Sequence, residues 1–237
     1  MAAMPRWQGV LFDLDGTLLD TARDMAGALN ELRAEESLPP LAFDTIRPHA
    51  SHGSTALVQV GFGLAPGAAF EAMRQRFLDR YAARIAVETC LFPGGEALLE
   101  ALEQAGLKWG VVTNKPAFLT TPLMAALELS PRAACIVSGD TLPQRKPHPA
   151  PLLHGAALAG LDPVACVYVG DAERDVQAAR AAGMTALVAE FGYLGAADQP
   201  ETWGADGAVA SMTDLGRWLG LHGTVTSAST SLSQTER

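Results

Sequence analysis

From residue 95 onward, short apolar runs alternate with helical segments, and each run stops at turn or polar residues. The pattern predicts strands near residues 108–113, 135–138, 166–170 and 185–189, a weaker strand near 207–209, and helices near 95–104, 118–127, 151–159 and 173–182. Strands that alternate with helices form right-handed crossovers and a parallel sheet covered on both faces. An earlier apolar run, Gly9–Phe12, fits the same sheet. The predicted fold class is therefore α/β, with a Rossmann-like parallel sheet core.

Residues 19–88 interrupt this core with a helical pattern that contains no convincing strand. Two apolar stripes at helical spacing are Met25, Ala28, Leu29 and Leu32, and Phe70, Met73, Phe77 and Tyr81. We expect a helical cap of residues 19–88, inserted after the first strand of a core made of residues 1–18 and 89–220. The remaining residues, 221–237, are rich in Ser, Thr and Gln, which predicts a disordered tail.

Composition excludes several classes of function. The chain has 237 residues, a net charge of −9 and no basic block, so nucleic acid is not an expected partner. Apolar runs are too short for a membrane span and residues 1–7 too short for a secretory signal, which predicts a cytoplasmic protein without a membrane partner. The three cysteines, Cys90, Cys135 and Cys166, offer neither a disulfide framework nor a metal knuckle, and we expect them to be buried apolar groups.

Polar side chains follow the predicted strands at the points where those strands end. In an open parallel sheet, ligands bind beyond the carboxyl ends of the strands. The residues placed there, or leading to the following helix, are Asp13, Asp15, Thr17, Thr113, Asn114, Lys146, Asp171 and Asp175. Two carboxylates about 4 Å apart repel by roughly 4 kcal/mol at an effective dielectric of about 20, and a bound divalent cation removes that cost. The sequence therefore predicts a Mg²⁺ site.

Phosphate ester chemistry suits these residues. A carboxylate can attack phosphorus to form an aspartyl-phosphate, and a second carboxyl two residues later can serve as the acid and base. Mg²⁺, Lys146 and the Thr113 hydroxyl would offset the phosphate charge. Three other motifs are absent from the sequence: the phosphate-binding P-loop, the GxSxG turn of serine hydrolases and, from Asp13, the glycine and glutamate of a calcium-binding EF-hand loop.

Four segments together resemble the motifs of the haloacid dehalogenase-like hydrolase superfamily: Asp13-x-Asp15-Gly16-Thr17, Val112-Thr113-Asn114, Lys146-Pro147 and Gly170-Asp171-x3-Asp175. The resemblance extends over about residues 8–220. The helical insertion directly after the first motif is similar to the cap of the phosphoglycolate phosphatase-like subgroup.

The resemblance implies a role for each motif residue. Asp13 is expected to be the nucleophile and Asp15 the general acid and base. Thr113 and Lys146 are expected to hold the phosphoryl group, with Asn114 also facing the substrate. Mg²⁺ is expected on Asp13, the main-chain carbonyl of Asp15, and Asp171, with Asp175 supporting the metal site from behind.

The substrate is left open at this stage. The segment from Gln144 to Leu153 is similar to 2-phosphoglycolate phosphatases, whereas the segments 109–116, 192–194 and 203–206 are also similar to N-acetylmuramate 6-phosphate phosphatases. The principal expectation is 2-phosphoglycolate. A phosphosugar mutase is a further alternative, and a phosphate-binding module without catalysis is the alternative from another functional class. The expected assembly is a monomer or a homodimer.

Both favoured substrates carry a carboxylate, for which the core motifs supply no group. The segment from Arg47 to Ser54 is predicted to be a loop between cap helices that faces the strand ends. Arg47 and His52 are therefore candidate ligands for the substrate carboxylate. The alternative is that Arg47 pairs with a nearby acid such as Asp44 and that the histidines are exposed.

Overall fold

The computed structural model describes residues 7–221, so the predicted tail lies almost wholly outside the described residues. Eight strands occur within the described range. They are β1 (Gly9–Phe12), β2 (Leu19–Asp20), β3 (Cys90–Leu91), β4 (Lys108–Val112), β5 (Ile136–Val137), β6 (Cys166–Gly170), β7 (Thr185–Ala189) and β8 (Gly207–Val209).

Nine α-helices and three short 3₁₀ segments complete the same residues. The helices are α1 (Ala22–Glu35), α2 (Phe43–Ile46), α3 (Gly53–Phe62), α4 (Ala68–Ala83), α5 (Gly95–Gln104), α6 (Ala117–Ala126), α7 (Ala150–Ala159), α8 (Glu173–Ala181) and α9 (Met212–Trp218). The 3₁₀ segments are Arg47–His52, Pro163–Ala165 and Pro200–Thr202.

Six strands form one parallel sheet in the order β5-β4-β1-β6-β7-β8. The first strand therefore lies in the centre, between β4 and β6. Its four residues are fully or almost fully buried, because helices cover both faces of the sheet and leave no position for an exposed side chain. The prediction of an α/β fold with a parallel sheet is confirmed.

Two apolar clusters hold the helices against the sheet. One includes Val10, Phe12 and Trp109 and continues into the cap, and the other lies on the opposite face and includes Leu11 and Tyr168. Consecutive strand residues point to opposite faces, so Leu11 enters one cluster while Val10 and Phe12 enter the other. Both clusters exclude water from the sheet and leave the ends of its strands open to the site.

The insertion between β2 and β3 contains α1 to α4. The side chains of Leu29, Leu32, Phe77 and Tyr81 are buried where α1 packs on α4. Strands β2 and β3 form a two-residue antiparallel ribbon at the base of this insertion. The ribbon was not predicted from the sequence, because two residues are too few for an alternating pattern.

Two details differ from the sequence analysis. The expected loop after Arg47 is instead the 3₁₀ segment Arg47–His52, which is followed by Gly53, whose φ of 71° favours glycine. Cys135 and Cys166 are buried as expected, and burial raises the pKa of each thiol to about 11. The prediction for Cys90 is wrong: it is exposed, because it lies on the short ribbon and not in the main sheet.

Candidate active site

The three central strands end side by side and place their next residues together. Asp13 follows β1, Thr113 follows β4 and Asp171 follows β6. Neighbouring strands lie about 4.8 Å apart, so side chains at adjacent strand ends are within contact range. All three residues are buried. The edge of the sheet thus collects these residues, which are far apart in the sequence.

Asp13 is held as a carboxylate by two cations. Its Oδ1 accepts hydrogen bonds from the backbone N–H of Leu14 at 2.7 Å and lies 2.8 Å from Lys146 Nζ. Its Oδ2 lies 3.9 Å from the guanidinium of Arg174. Burial raises the pKa of Asp13, but Lys146 and Arg174 outweigh that effect, so the pKa is below its ordinary value. An ionised carboxylate on the wall of a cavity is a competent nucleophile.

Lys146 is fully enclosed by acceptors. Its Nζ lies 2.8 Å from Asp13 Oδ1 and 2.8 Å from Asp175 Oδ1, and it donates to Tyr168 Oη at 2.8 Å. Tyr168 in turn donates to the carbonyl of Val112 at 2.7 Å. These contacts hold the ammonium group of Lys146 beside Asp13, the expected nucleophile.

Asn114 fixes the main chain of Lys146. Its amide donates to the Lys146 carbonyl and its Oδ1 accepts from the Lys146 N–H, both at 3.0 Å. Asn114 and Thr113 also line the cavity in front of Asp13. The side chain that was expected only to face substrate therefore also positions the lysine.

Asp15 contacts a residue at the start of the cap and a buried lysine. Its Oδ1 accepts from Thr21 Oγ1 at 2.7 Å and from Lys115 Nζ at 2.9 Å. Lys115 is buried and also donates to Tyr81 Oη at 2.8 Å. Burial lowers the pKa of Lys115 and the charge of Asp15 partly offsets this effect. The expected acid and base is thus connected to a cap helix through one lysine.

Asp13, Asp171 and Asp175 form an acidic cluster, with one ligand oxygen of each lying within 4.8 Å of the others. Burial, followed by the charges of Asp13 and Asp175, raises the pKa of Asp171 to about 7. Within residues 7–221, Asp171 Oδ1 is buried without a hydrogen-bond partner. Three carboxylates with an unpartnered oxygen fit a hard divalent cation.

The cap reaches the acidic cluster through the turn that follows Arg47. Ser51 Oγ donates to Asp171 Oδ2, which also accepts from the backbone N–H of Tyr193 at 2.9 Å. The guanidinium of Arg174 donates to the Ser51 carbonyl at 2.7 Å and lies 3.4 Å from His52 Nδ1. The cap is therefore closed over the strand ends in this structure.

The expected contact of Arg47 with substrate is not supported. Its guanidinium donates to the carbonyls of Phe191 and Gly192, at 3.1 and 2.8 Å, and its Cζ lies 5.0 Å from the ring centroid of Tyr193. Arg47 is not among the residues that line the cavity, whereas His52 is. The turn geometry directs Arg47 to the loop after β7 and His52 to the site.

A cavity of about 610 Å³ lies between the cap and the strand ends. Two acidic residues line it, Asp13 and Asp15, against four basic residues on its walls. These cations are Arg74, Lys115, Arg145 and Arg174. A positive cavity in a chain of net charge −9 favours a small anionic ligand.

A family model described as haloacid dehalogenase-like hydrolase matches residues 10–189. The chain belongs to this hydrolase family. The match includes all four motifs that the sequence analysis identified and the helical insertion. The resemblance stated from those motifs is therefore confirmed.

Relatives of this hydrolase carry two different names. The chain is 47% identical over 199 residues to a phosphoglycolate phosphatase of Xanthomonas campestris, which covers 84% of this chain and 90% of the relative. It is 41% identical over 211 residues to an N-acetylmuramic acid 6-phosphate phosphatase of Pseudomonas putida, covering 89% and 95%. A solved structure of a predicted phosphoglycolate phosphatase from Haemophilus somnus aligns with a TM-score of 0.80 at 26% identity, covering 91% and 99%. These names place the hydrolase in the phosphoglycolate phosphatase-like subgroup.

Two cationic residues of this site, Lys115 and Arg174, were not predicted from the sequence. Lys115 directly follows the Thr113-Asn114 pair and is one of only three lysines, which was an available signal. Arg174 sits inside the last motif, one residue before Asp175. Their roles depend on contacts with the cap, which sequence spacing does not report.

Proposed function

We propose that this hydrolase is a Mg²⁺-dependent phosphatase that cleaves 2-phosphoglycolate through an aspartyl-phosphate. The observation that carries the proposal is the arrangement at Asp13: an ionised carboxylate with Lys146 on one oxygen, Arg174 near the other, and a cationic cavity in front of it. The phosphoglycolate phosphatase relatives support the choice of substrate.

The first half of the reaction phosphorylates Asp13. A carboxylate oxygen of Asp13 forms a bond to phosphorus while the bond from phosphorus to the glycolate oxygen breaks, and Asp15 gives its proton to that oxygen. Lys146 and Thr113 hold the phosphoryl oxygens. Arg174 lies close enough to Asp13 to contact the transferred group as well.

The second half regenerates Asp13. Asp15, now a carboxylate, removes a proton from water as the water oxygen bonds to phosphorus and the bond to Asp13 breaks, which releases inorganic phosphate. Asp13, the main-chain carbonyl of Asp15, and Asp171 would hold Mg²⁺, with Asp175 fixing Lys146 beside them. When bound, the cation neutralises charge that accumulates on the phosphoryl oxygens.

N-acetylmuramate 6-phosphate is the second candidate substrate. The cavity of about 610 Å³ has room for more than glycolate, which favours a larger sugar phosphate. The Pseudomonas relatives carry this activity in their names. Recognition of a small phosphorylated metabolite is common to both candidates.

The deciding experiment measures phosphate release from both compounds by the purified chain with Mg²⁺. We expect kcat/KM for 2-phosphoglycolate to exceed that for N-acetylmuramate 6-phosphate at least tenfold, and the reverse ratio would assign the second candidate. Chelation by EDTA should abolish turnover and added Mg²⁺ should restore it, so full activity without metal would contradict the metal proposal. Asp13→Asn is the control. Return of the phosphate to a second sugar hydroxyl, with no release, would instead assign a phosphosugar mutase.

The remaining expectations from composition stay predictions. They concern a cytoplasmic location, the absence of a nucleic-acid partner and a monomeric or homodimeric assembly. No helix within residues 7–221 is long and apolar enough to cross a membrane.

A further inference from the structure

Lys115 is a buried ammonium on the wall of the cavity that the phosphatase mechanism above does not use. Its side chain is 3% exposed. Nζ lies 2.9 and 3.2 Å from the two carboxylate oxygens of Asp15, and donates to Tyr81 Oη at 2.8 Å. Burying an ammonium is costly, so a buried lysine facing a ligand cavity indicates a functional charge.

The three N–H donors of Lys115 are shared between Asp15 and Tyr81 in this structure. Nζ has three hydrogen-bond contacts, with both carboxylate oxygens of Asp15 and with Tyr81 Oη. The contact with Asp15 Oδ2 is the longest of the three, at 3.2 Å, so a carboxylate in the cavity that Lys115 lines can replace Oδ2 as an acceptor.

We infer that Lys115 binds a carboxylate of the leaving group, next to the ester oxygen that Asp15 protonates. This inference rests on the proposed phosphatase function. A leaving oxygen that takes its proton from Asp15 lies about 3 Å from that carboxyl. Since Nζ is 2.9 Å from Asp15 Oδ1, the leaving oxygen lies within about 6 Å of Lys115.

A carboxylate one carbon from the ester oxygen spans this distance. Its own oxygens lie about 3 Å from the ester oxygen, and an ion pair with an ammonium adds about 3 Å. The substrate class is therefore phosphate esters of 2-hydroxy acids. In N-acetylmuramate 6-phosphate the carboxylate lies across the sugar ring from the phosphate and does not meet this condition.

The other cavity cations do not share this position. Arg174 lies beside Asp13 and is bonded to the Ser51 carbonyl. Arg74, on α4 of the cap, is paired with Glu71 at 2.8 Å. Lys115 alone among the described cavity cations contacts Asp15, so it is the one adjacent to the leaving group.

The test compares 2-phosphoglycolate with ethyl phosphate, an alkyl ester of the same two-carbon length without the carboxylate. The readout is the ratio of the two kcat/KM values. In Lys115→Met this ratio should fall about 10- to 100-fold, the effect expected for loss of a charged hydrogen bond. In Lys108→Met, the same substitution at the opposite end of β4, the ratio should not change. A residue that only positions Asp15 would slow both esters equally, and an unchanged ratio in Lys115→Met would overturn the inference.

Two further measurements separate failure of the inference from misfolding of the variant and from failure of the proposed substrate. If Lys115→Met does not fold, Lys115→Gln keeps a polar group without the charge and should show the same fall in the ratio. If the wild type hydrolyses p-nitrophenyl phosphate but not 2-phosphoglycolate, the proposed substrate is wrong. The inference is then decided with 2-phospholactate and isopropyl phosphate: a wild-type preference for phospholactate that Lys115→Met loses supports it, and no preference overturns it.

Discussion

Lys146 and Lys115 divide the site between them at the scale of single residues. Lys146 contacts Asp13, Asp175 and Tyr168, and the proposed mechanism assigns it to the phosphoryl side. Lys115 lies beside Asp15, which the same mechanism places on the leaving-group side. Under the proposed function, two buried ammonium groups, one beside Asp13 and one beside Asp15, would bind two separate negative charges on the same small substrate.

Replacing the two aspartates of the first motif should separate the two chemical steps. Asp13→Asn should lower kcat at least about 1,000-fold without unfolding, because an amide is a poor nucleophile. Asp15→Asn should still accept phosphate from an ester with a good leaving group but should stall afterward. Intact-mass measurement should then detect a protein heavier by one phosphoryl group. Wild-type kcat of Asp15→Asn on an alkyl phosphate would contradict the acid and base assignment.

Tyr168→Phe tests the support of Lys146. The change removes one acceptor from the ammonium and leaves the carbonyl of Val112 without the phenol donor. We expect kcat to fall about tenfold, corresponding to about 1.4 kcal/mol, with a smaller effect on KM. Steady-state kinetics would measure this split. An unchanged kcat would mean that Asp13 and Asp175 suffice to orient the lysine.

At the scale of elements, the first turn of α1 connects the cap to the chain that returns to the core. Asp24, in its first turn, is fully buried and accepts hydrogen bonds from the backbone N–H groups of Glu88 and Thr89, at 2.9 and 2.8 Å. It also lies 3.4 Å from Arg84 near the end of α4. One carboxylate thus ties the start of the insertion to the chain that returns to the core.

Asp24→Ala should destabilise the protein by about 3–5 kcal/mol, because it leaves two backbone donors and the buried Thr89 hydroxyl without their acceptor. Urea unfolding monitored by circular dichroism would measure the loss. Asp79→Ala is the matched control on the exposed face of α4, where Asp79 only accepts from Gln75. The control should change the free energy of unfolding by no more than about 0.5 kcal/mol. Equal effects of the two substitutions would contradict the role of Asp24.

At the scale of the whole molecule, an acidic protein encloses a positive cavity above a buried acidic cluster. The net charge is −9, yet the ionisable walls of the cavity carry more cations than carboxylates. The electrostatic potential of the whole protein is therefore negative, whereas the potential inside the cavity is positive. Binding of an anion depends on the local field, since charges farther away than about 8 Å are screened at physiological salt.

The acidic cluster should make the metal-free protein less stable as pH rises. The pKa of Asp171 is raised from 3.8 to about 7 by burial and by Asp13 and Asp175. A carboxyl with a raised pKa binds more protons in the folded state, so its contribution to stability is lost as pH increases from about 4 to about 7. Asp171→Asn should therefore gain stability relative to the wild type by about 2–3 kcal/mol between pH 5 and pH 8 without metal.

Thermal or urea unfolding at pH 5 and pH 8 would test this expectation. Mg²⁺ should stabilise the wild type more at pH 8 than at pH 5, and should stabilise Asp171→Asn little at either pH. A constant difference between the two proteins across this range would show that Asp171 does not titrate as its surroundings indicate.

The sequence alone was sufficient for the sheet and for the residues at its edge. Each buried strand of the sheet is visible in the local sequence as a short apolar run that stops at polar residues. Asp13, Thr113 and Asp171 were identified in this way, because the carboxyl ends of parallel strands lie at the same edge of the sheet. Only the tertiary structure decided which side chains face one another across the cavity. Arg47 turned to the loop after β7 and Lys115 to Asp15, because these contacts depend on how the cap packs on the core, and residues up to 145 positions apart meet there.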